Sequence, residues 1–199
     1  MGGTDQRFRR IRLCLLISQV IAKGGVGLEQ LKQLIRNIPD FPKKGILFRD
    51  ITTLLKDRQG FRVAVDAMAS KYHNSGIDKV VCVEARGFLL GGAIAYQLDC
   101  GVVPVRKPGK LPFDTVKQTY DLEYGTDSIE VHRDGVKAGD RVLLVDDLLA
   151  TGGTAKAAAD LVERLGGEVV SCVFLVELIG LEGRNLLGEY DVFSVIEYE

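Results

Sequence analysis

Four apolar, β-branched runs punctuate this chain: Val80-Val81-Cys82-Val83, Val102-Val103-Pro104-Val105, Val142-Leu143-Leu144-Val145 and Val169-Val170-Ser171-Cys172-Val173-Phe174. A strand with one solvated face alternates apolar with polar residues. Runs this continuous have both faces covered, as in a parallel sheet between layers of helix. Helical stretches over about 87–98 and 153–165 separate some of them. The pattern predicts an α/β fold: a mostly parallel twisted sheet flanked by helices.

Upstream, Leu28, Leu31, Leu34 and Ile35 recur at helical spacing until Pro39 stops them. Pro39-Asp40-Phe41-Pro42-Lys43-Lys44-Gly45 is turn chemistry, and Ile46-Leu47-Phe48 before Arg49-Asp50 reads as a short buried connection. Residues 61–74 form an amphipathic pattern. Between Lys107 and Arg133 lies a long polar stretch in which Tyr120 to Tyr124 and Ser128 to His132 are placed to pair around Gly125-Thr126. A polar loop of that length in a compact domain is usually functional. No internal repeat or low-complexity tract appears.

Composition narrows the class of partner. The 199 residues are 46% apolar and 27% charged with a net charge of −1, enough for one domain with a real core and no electrostatic footprint for nucleic acid. A small ligand is expected. Cys14, Cys82, Cys100 and Cys172 are scattered and form no metal-binding pair, so they read as reduced core residues of a cytoplasmic protein. Residues 1–27 stand apart. There Arg7, Arg9, Arg10 and Arg12 precede Leu13-Cys14-Leu15-Leu16-Ile17, with the outline of a leader. Asp5 within the basic stretch and Lys23 after Ala22 speak against one, and the run is too short to span a bilayer. A helical extension, an over-long start, organellar targeting and secretion all stay open.

The third apolar run ends directly in chemistry. Asp146-Asp147 closes the strand, Leu148-Leu149-Ala150 follows, and Thr151-Gly152-Gly153-Thr154 opens an alanine-rich helix. Ligands of open parallel sheets gather at the carboxyl ends of strands. Two adjacent carboxylates there must meet solvent or a ligand, and vicinal ribose hydroxyls match them. The Thr-Gly-Gly-Thr turn offers hydroxyls, open backbone N–H groups and a helix start, an anion site suited to phosphate. No GxxxxGK[ST] places a lysine on a nucleoside triphosphate, and no GxGxxG follows a strand.

The stretch from Val145 to Thr154 resembles the phosphoribosyl pyrophosphate signature of the type I phosphoribosyltransferases, and its Leu148-Leu149 form is most similar to the adenine-using branch. The similarity spans about residues 28–199. It divides the chain into an N-terminal extension, 1–27, and a phosphoribosyltransferase domain with a small N-terminal hood, about 28–55, and a flexible hairpin lid, about 107–133. Asp146, Asp147, Ala150, Thr151, Gly152, Gly153 and Thr154 would bind the sugar phosphate. Glu84-Ala85-Arg86 resembles the pyrophosphate loop, with Arg106, Lys107 and Lys110 as further cations on the leaving group. Tyr120-Asp121-Leu122-Glu123-Tyr124-Gly125 resembles the catalytic loop, which makes Glu123 the general acid/base and Tyr124 a closing residue. Leu47, Phe48 and Arg49 would read adenine, with Phe48 stacked on the ring.

The resemblance implies conversion of adenine and 5-phosphoribosyl 1-pyrophosphate to AMP and pyrophosphate. Mg²⁺ would be held through substrate and water with no direct protein ligand. A homodimer is implied, with no nucleic-acid or membrane partner. Another purine acceptor, or a non-catalytic regulator that binds the same sugar donor, are the competing expectations.

Overall fold

A computed structural model describes residues 27–121 and 125–199. The chain forms two compact units that meet in sequence at Lys71 and Tyr72.

The first unit begins with α1 (Leu28–Leu34), where the Gln30 side chain accepts from Gly27 N at 2.8 Å. Its Leu31 is fully buried. Strands β1 (Arg36–Pro39) and β2 (Leu47–Asp50) pair antiparallel, joined by the expected turn, in which Asp40 adopts φ 58° and accepts from Gly45 N at 2.7 Å. The expectation of a buried connection at Ile46-Leu47 fails. Both are nearly half exposed, at 45% and 47%, because a two-stranded ribbon has little surface to lay over them. Helix α2 (Thr52–Leu55) and helix α3 (Arg58–Ala69) follow. Asp57 caps α3 by accepting from Gln59 N and Gly60 N, at 3.1 and 2.7 Å. That cap starts the amphipathic helix three residues earlier than its apolar pattern suggests, and it ends at Ala69 rather than 74.

The second unit is built on a five-stranded, all-parallel sheet in the order β4-β3-β7-β8-β9. Its strands are β3 (Lys79–Val83), β4 (Gly101–Val105), β7 (Arg141–Leu149), β8 (Glu168–Leu178) and β9 (Val192–Tyr198). The four apolar runs are the cores of the first four of these, and Val80 to Cys82, Val142 to Val145 and Cys172 to Val176 are essentially inaccessible. Helix α4 (Arg86–Leu98) links β3 to β4 and α5 (Gly153–Arg164) links β7 to β8. Buried Ala155, Ala157, Ala158 and Ala159 let α5 lie close against its neighbours. Gly91 does the same for α4, since a Cβ there would stand 2.6 Å from that of Cys82. A short helix α6 (Gly183–Leu186) precedes β9.

The hairpin pairs β5 (Thr115–Asp121) with β6 (Thr126–His132), so its first strand starts five residues before the expected Tyr120. Thr119 faces Ser128 and Tyr120 faces Asp127. Val116, Ile129 and Val131 join the same apolar cluster as Val103, Leu144 and the alanines of α5, and burying each stabilises the hairpin's base by about 1.5–3 kcal/mol. His132 is only partly exposed, with its Nε2 atom buried. Among the described residues no helix is long and apolar enough to cross a membrane.

Candidate functional site

Strand β3 sits between β4 and β7. The chain leaves β3 through α4 to reach β4 on one side and later returns as β7 on the other. The connections therefore diverge at the carboxyl ends of β3 and β7, a switch point where open α/β sheets bind ligands. Arg86, the first residue of α4, and Asp147 of β7 meet there.

Arg86 Nε lies 2.8 Å from Asp147 Oδ2. The contact is an ion pair without hydrogen-bond alignment, and Asp147 Oδ2 is buried with no aligned donor among the described residues. Asp147 is only 8% exposed. Beside it, Asp146 Oδ1 accepts from Asp147 N at 2.8 Å. Burial pushes the Asp146 carboxyl well above the ordinary range, and the adjacent Asp147 carboxylate adds to the shift; the Asp147 N–H and the Arg86 guanidinium offset it only in part. Two vicinal carboxyls thus share this strand end, with the Arg86 guanidinium against Asp147. Gly87 permits this approach, because a Cβ at that position would fall 2.8 Å from Asp146 Oδ1.

Past the end of β7 the chain turns through Ala150 to Gly152, which takes φ +87° as the N-cap of α5. No side chain caps this helix, so its first N–H groups are left without an intrahelical acceptor and present the positive end of the helix dipole. Thr151 is exposed and Thr154 partly so. Thr154 Oγ1 shares a 3.0 Å hydrogen bond with Tyr120 Oη from the hairpin, whose hydroxyl also donates to Asp127 at 3.3 Å.

The neighbouring strand ends supply the cations. Glu84 Oε2 accepts from Arg106 Nε at 2.8 Å, and its Oε1 accepts from Lys107 N at 2.7 Å. Burial alone would raise the Glu84 carboxyl; the Lys107 N–H and the Arg106 guanidinium outweigh it and hold the acid below its usual value. The Glu84–Ala85 peptide is cis. Arg106 also lies over the Phe88 ring at 5.9 Å, and Lys107 pairs with Asp127. Lys110 is exposed and its carbonyl accepts from Arg106 Nη1 at 3.4 Å.

In the first unit, Phe48 meets Phe41 edge to face at 5.1 Å, and Arg49 Nη1 donates to Asn37 Oδ1 at 2.5 Å. Leu47 is open on the strand's outer face. Glu123 and Tyr124 lie outside the described residues.

The structure therefore brings Glu84, Ala85, Arg86, Arg106, Lys107, Asp146, Asp147 and the 150–154 turn to one end of one sheet. Sequence reading passed over Gly87, whose missing side chain is detectable only once α4 and β7 are known to touch. It also passed over Asp127, which is unremarkable in a polar stretch.

The model of the phosphoribosyl transferase domain matches residues 52–198. An adenine phosphoribosyltransferase of Geotalea daltonii is 56% identical over 171 residues, 86% of this chain and 100% of that protein. One from Acidobacterium capsulatum is 57% identical over 173 residues, 87% of this chain and 96% of that protein. The crystal structure of adenine phosphoribosyltransferase from Thermoanaerobacter pseudethanolicus superposes with a TM-score of 0.84 at 54% identity, covering 86% of this chain and 99% of that one. The Saccharomyces cerevisiae enzyme, solved with an imino-altritol bisphosphate and adenine, gives 0.79 at 40% identity, covering 84% and 97%.

Proposed function

The chain belongs to the type I phosphoribosyltransferases, in their adenine-specific branch, and from that premise we propose how its residues divide the work of purine salvage. It transfers the 5-phosphoribosyl group of 5-phosphoribosyl 1-pyrophosphate to adenine, releasing AMP and pyrophosphate. A bond forms between adenine N9 and the anomeric carbon as the bond from that carbon to the pyrophosphate oxygen breaks, with inversion. The N9 proton passes to the Glu123 carboxylate.

The observation that carries the assignment of the donor site is the meeting of Arg86 with Asp147 beside an uncapped helix start. Asp146 and Asp147 receive the two ribose hydroxyls, whose protons satisfy the orphaned oxygen on Asp147. They also favour the positive charge that develops on the sugar as the leaving group departs. The 5-phosphate lies on the N–H groups and hydroxyls from Ala150 to Thr154. Arg86, released from Asp147 by the incoming hydroxyls, turns to the pyrophosphate, which Arg106, Lys107 and Lys110 also neutralise. Glu84 and Ala85 shape that loop. Leu47 and Arg49 read the edge of adenine and Phe48 stacks on it; Tyr124 closes over the reacting groups and excludes water.

Two vicinal carboxylates, one with a buried oxygen that no donor bonds among the described residues, stand near the end of β7. That donor set fits Mg²⁺ carried on the substrate's own oxygens and on water. The ion supplies charge neutralisation at the pyrophosphate when bound. The protein works as a homodimer in the cytoplasm: Leu89 and Tyr96 leave an apolar stripe on α4, 56% and 89% exposed, and Cys82, Cys100 and Cys172 are unpaired thiols.

The test is pyrophosphate release by the purified protein, with Mg²⁺ and the sugar donor, given adenine, hypoxanthine, guanine or xanthine in turn. Release with adenine alone is expected. Release with another base reassigns the acceptor, and none with any base would make the protein a binder of the donor.

A further inference from the structure

The turn that receives the 5-phosphate is held from behind by a second glycine. Gly152 adopts φ +87°, and a Cβ on it would fall 2.6 Å from Gly183 O; a Cβ on Gly183 would run into the carbonyl oxygen of Ala150. The two backbones therefore interlock with no side chain between them, and the position of residues 150–152 depends on where residue 183 is placed. Gly183 is buried and opens α6, a helix of four residues. So short a helix cannot fix its own position.

The next residue does so. Arg184 donates from Nε to Glu177 Oε1 at 2.6 Å and from Nη2 to Glu177 Oε2 at 2.7 Å, a two-pronged pair. The same guanidinium donates from Nη2 to Ser194 Oγ at 2.8 Å and from Nη1 to the Val192 carbonyl at 2.9 Å. Ser194 in turn donates to Glu177 Oε2. Glu177, on β8, is 3% exposed, and its carboxylate raises the Arg184 pKa further. The fork of one arginine thus ties α6 to the last two strands of the sheet, with geometry a point charge does not reproduce.

We infer that Arg184, clamped by Glu177 and Ser194, is a positioning residue for the sugar donor: it seats Gly183 against Gly152 and so holds the 150–154 turn in its phosphate-receiving shape. Arg184 touches no substrate. Its action is on the 5-phosphate and not on the pyrophosphate, whose cations sit at the start of α4 and just past β4. The inference rests on the reading that this turn binds the 5-phosphate.

Binding of ribose 5-phosphate and of pyrophosphate with Mg²⁺ is measured by calorimetry on the full-length wild type and on Arg184→Met, Arg184→Lys and Thr151→Val. Displacing a preorganised group by a fraction of an ångström weakens its ligand severely. Arg184→Met is expected to raise the Kd for ribose 5-phosphate on the order of tenfold and to leave pyrophosphate binding within about twofold. Arg184→Lys keeps the charge, so Glu177 is not left unpaired and the protein folds. It loses the fork and should lie between the wild type and Arg184→Met. In turnover, the loss falls on KM for the sugar donor, while kcat at saturation and KM for adenine are held. Unchanged ribose 5-phosphate binding in folded Arg184→Lys and Arg184→Met, beside a clear loss in Thr151→Val, overturns the clamp and leaves the phosphate site standing. Unchanged binding in Thr151→Val as well means that the phosphate lies elsewhere and removes the premise. An equal loss for both ligands also overturns the inference, since it marks general damage.

Discussion

Replacing Arg86 by Gln and Asp147 by Asn, singly and together, tests whether the site stores an ion pair that the substrates must open. The two groups are 2.8 Å apart, where opposite unit charges attract by roughly 6 kcal/mol at an effective dielectric constant near 20. Much of that is lost. The Arg86 side chain remains 35% exposed, so solvent screening and the ordering of a long side chain leave a net coupling of about 1–2 kcal/mol. In urea unfolding at neutral pH, Arg86→Gln should cost more than its own contacts suggest, because it strands the Asp147 carboxylate, buried and beside Asp146. The double variant should recover part of that loss. Coupling is obtained from the four unfolding free energies. Each single variant should also lower kcat/KM for the sugar donor by roughly 10² or more, as the loss of a preorganised charge does elsewhere. If the two substitutions add to within about 0.5 kcal/mol, the ion pair contributes nothing and the opening step is wrong.

Asp50 offers a test in the first unit: its carboxyl is lowered from 3.8 to about 2, first by the Thr52 hydroxyl and N–H and then by Arg36, against the effect of burial. Because the folded-state value lies below the unfolded one, its stabilisation is complete above about pH 4 and is lost as pH falls through 2. That gap corresponds to about 2.5 kcal/mol. Wild type should therefore lose about 2 kcal/mol more than Asp50→Asn between pH 5 and 2, and parallel stability curves would refute the linkage. Glu123→Gln should cut kcat by about 10²-fold or more with donor affinity measured by calorimetry unchanged; a kcat within twofold of wild type, to the precision of a steady-state assay, removes Glu123 from the proton transfer. Phe48→Ala should raise KM for adenine about tenfold, the loss of one stacking contact of roughly 1–3 kcal/mol, with KM for the sugar donor held; an unchanged adenine KM would show that the ring is only packing on Phe41.

The sheet was legible because the forces that build it are local in the chain. Runs such as Val142 to Val145 announce two covered faces, and the TGGT segment falls at a helix start; the DD pair was expected to close its strand, but β7 runs on through Leu149, so the pair lies just inside the carboxyl end where ligands of parallel sheets gather. What escaped was set by pairing. Strand β9 has the exposed Glu197 between Ile196 and Tyr198, and its register against β8 is invisible without the partner. The hairpin was legible but its first strand was misplaced, because Lys117, Gln118 and Thr119 disguise its start, while three aliphatics on one face decide its packing. Ile46 and Leu47 erred in the other direction: apolar residues in a two-stranded ribbon have nothing to be buried by, so their exposure follows from sheet size and not from their own chemistry.

The same distinction separates the two halves of the reaction. The proposed phosphate site, a helix start, a glycine at positive φ and two threonine hydroxyls, lies within residues 150–154, so the donor leaves a compact mark in the sequence. Even there, the mark omits what holds it in shape. Gly183 and Arg184 stand some thirty positions downstream, and no spacing rule joins them to Gly152; only the approach of two backbones without a Cβ between them does. The residues proposed to read adenine, Leu47, Phe48 and Arg49, carry chemistry that many ordinary strand residues share. A phosphate signature therefore points to the donor from residues alone, whereas the acceptor is identified by the match of most of the chain to adenine phosphoribosyltransferases. Substitutions in 150–154 should accordingly act alike on every purine tried, and those in 47–49 should change which purine is taken.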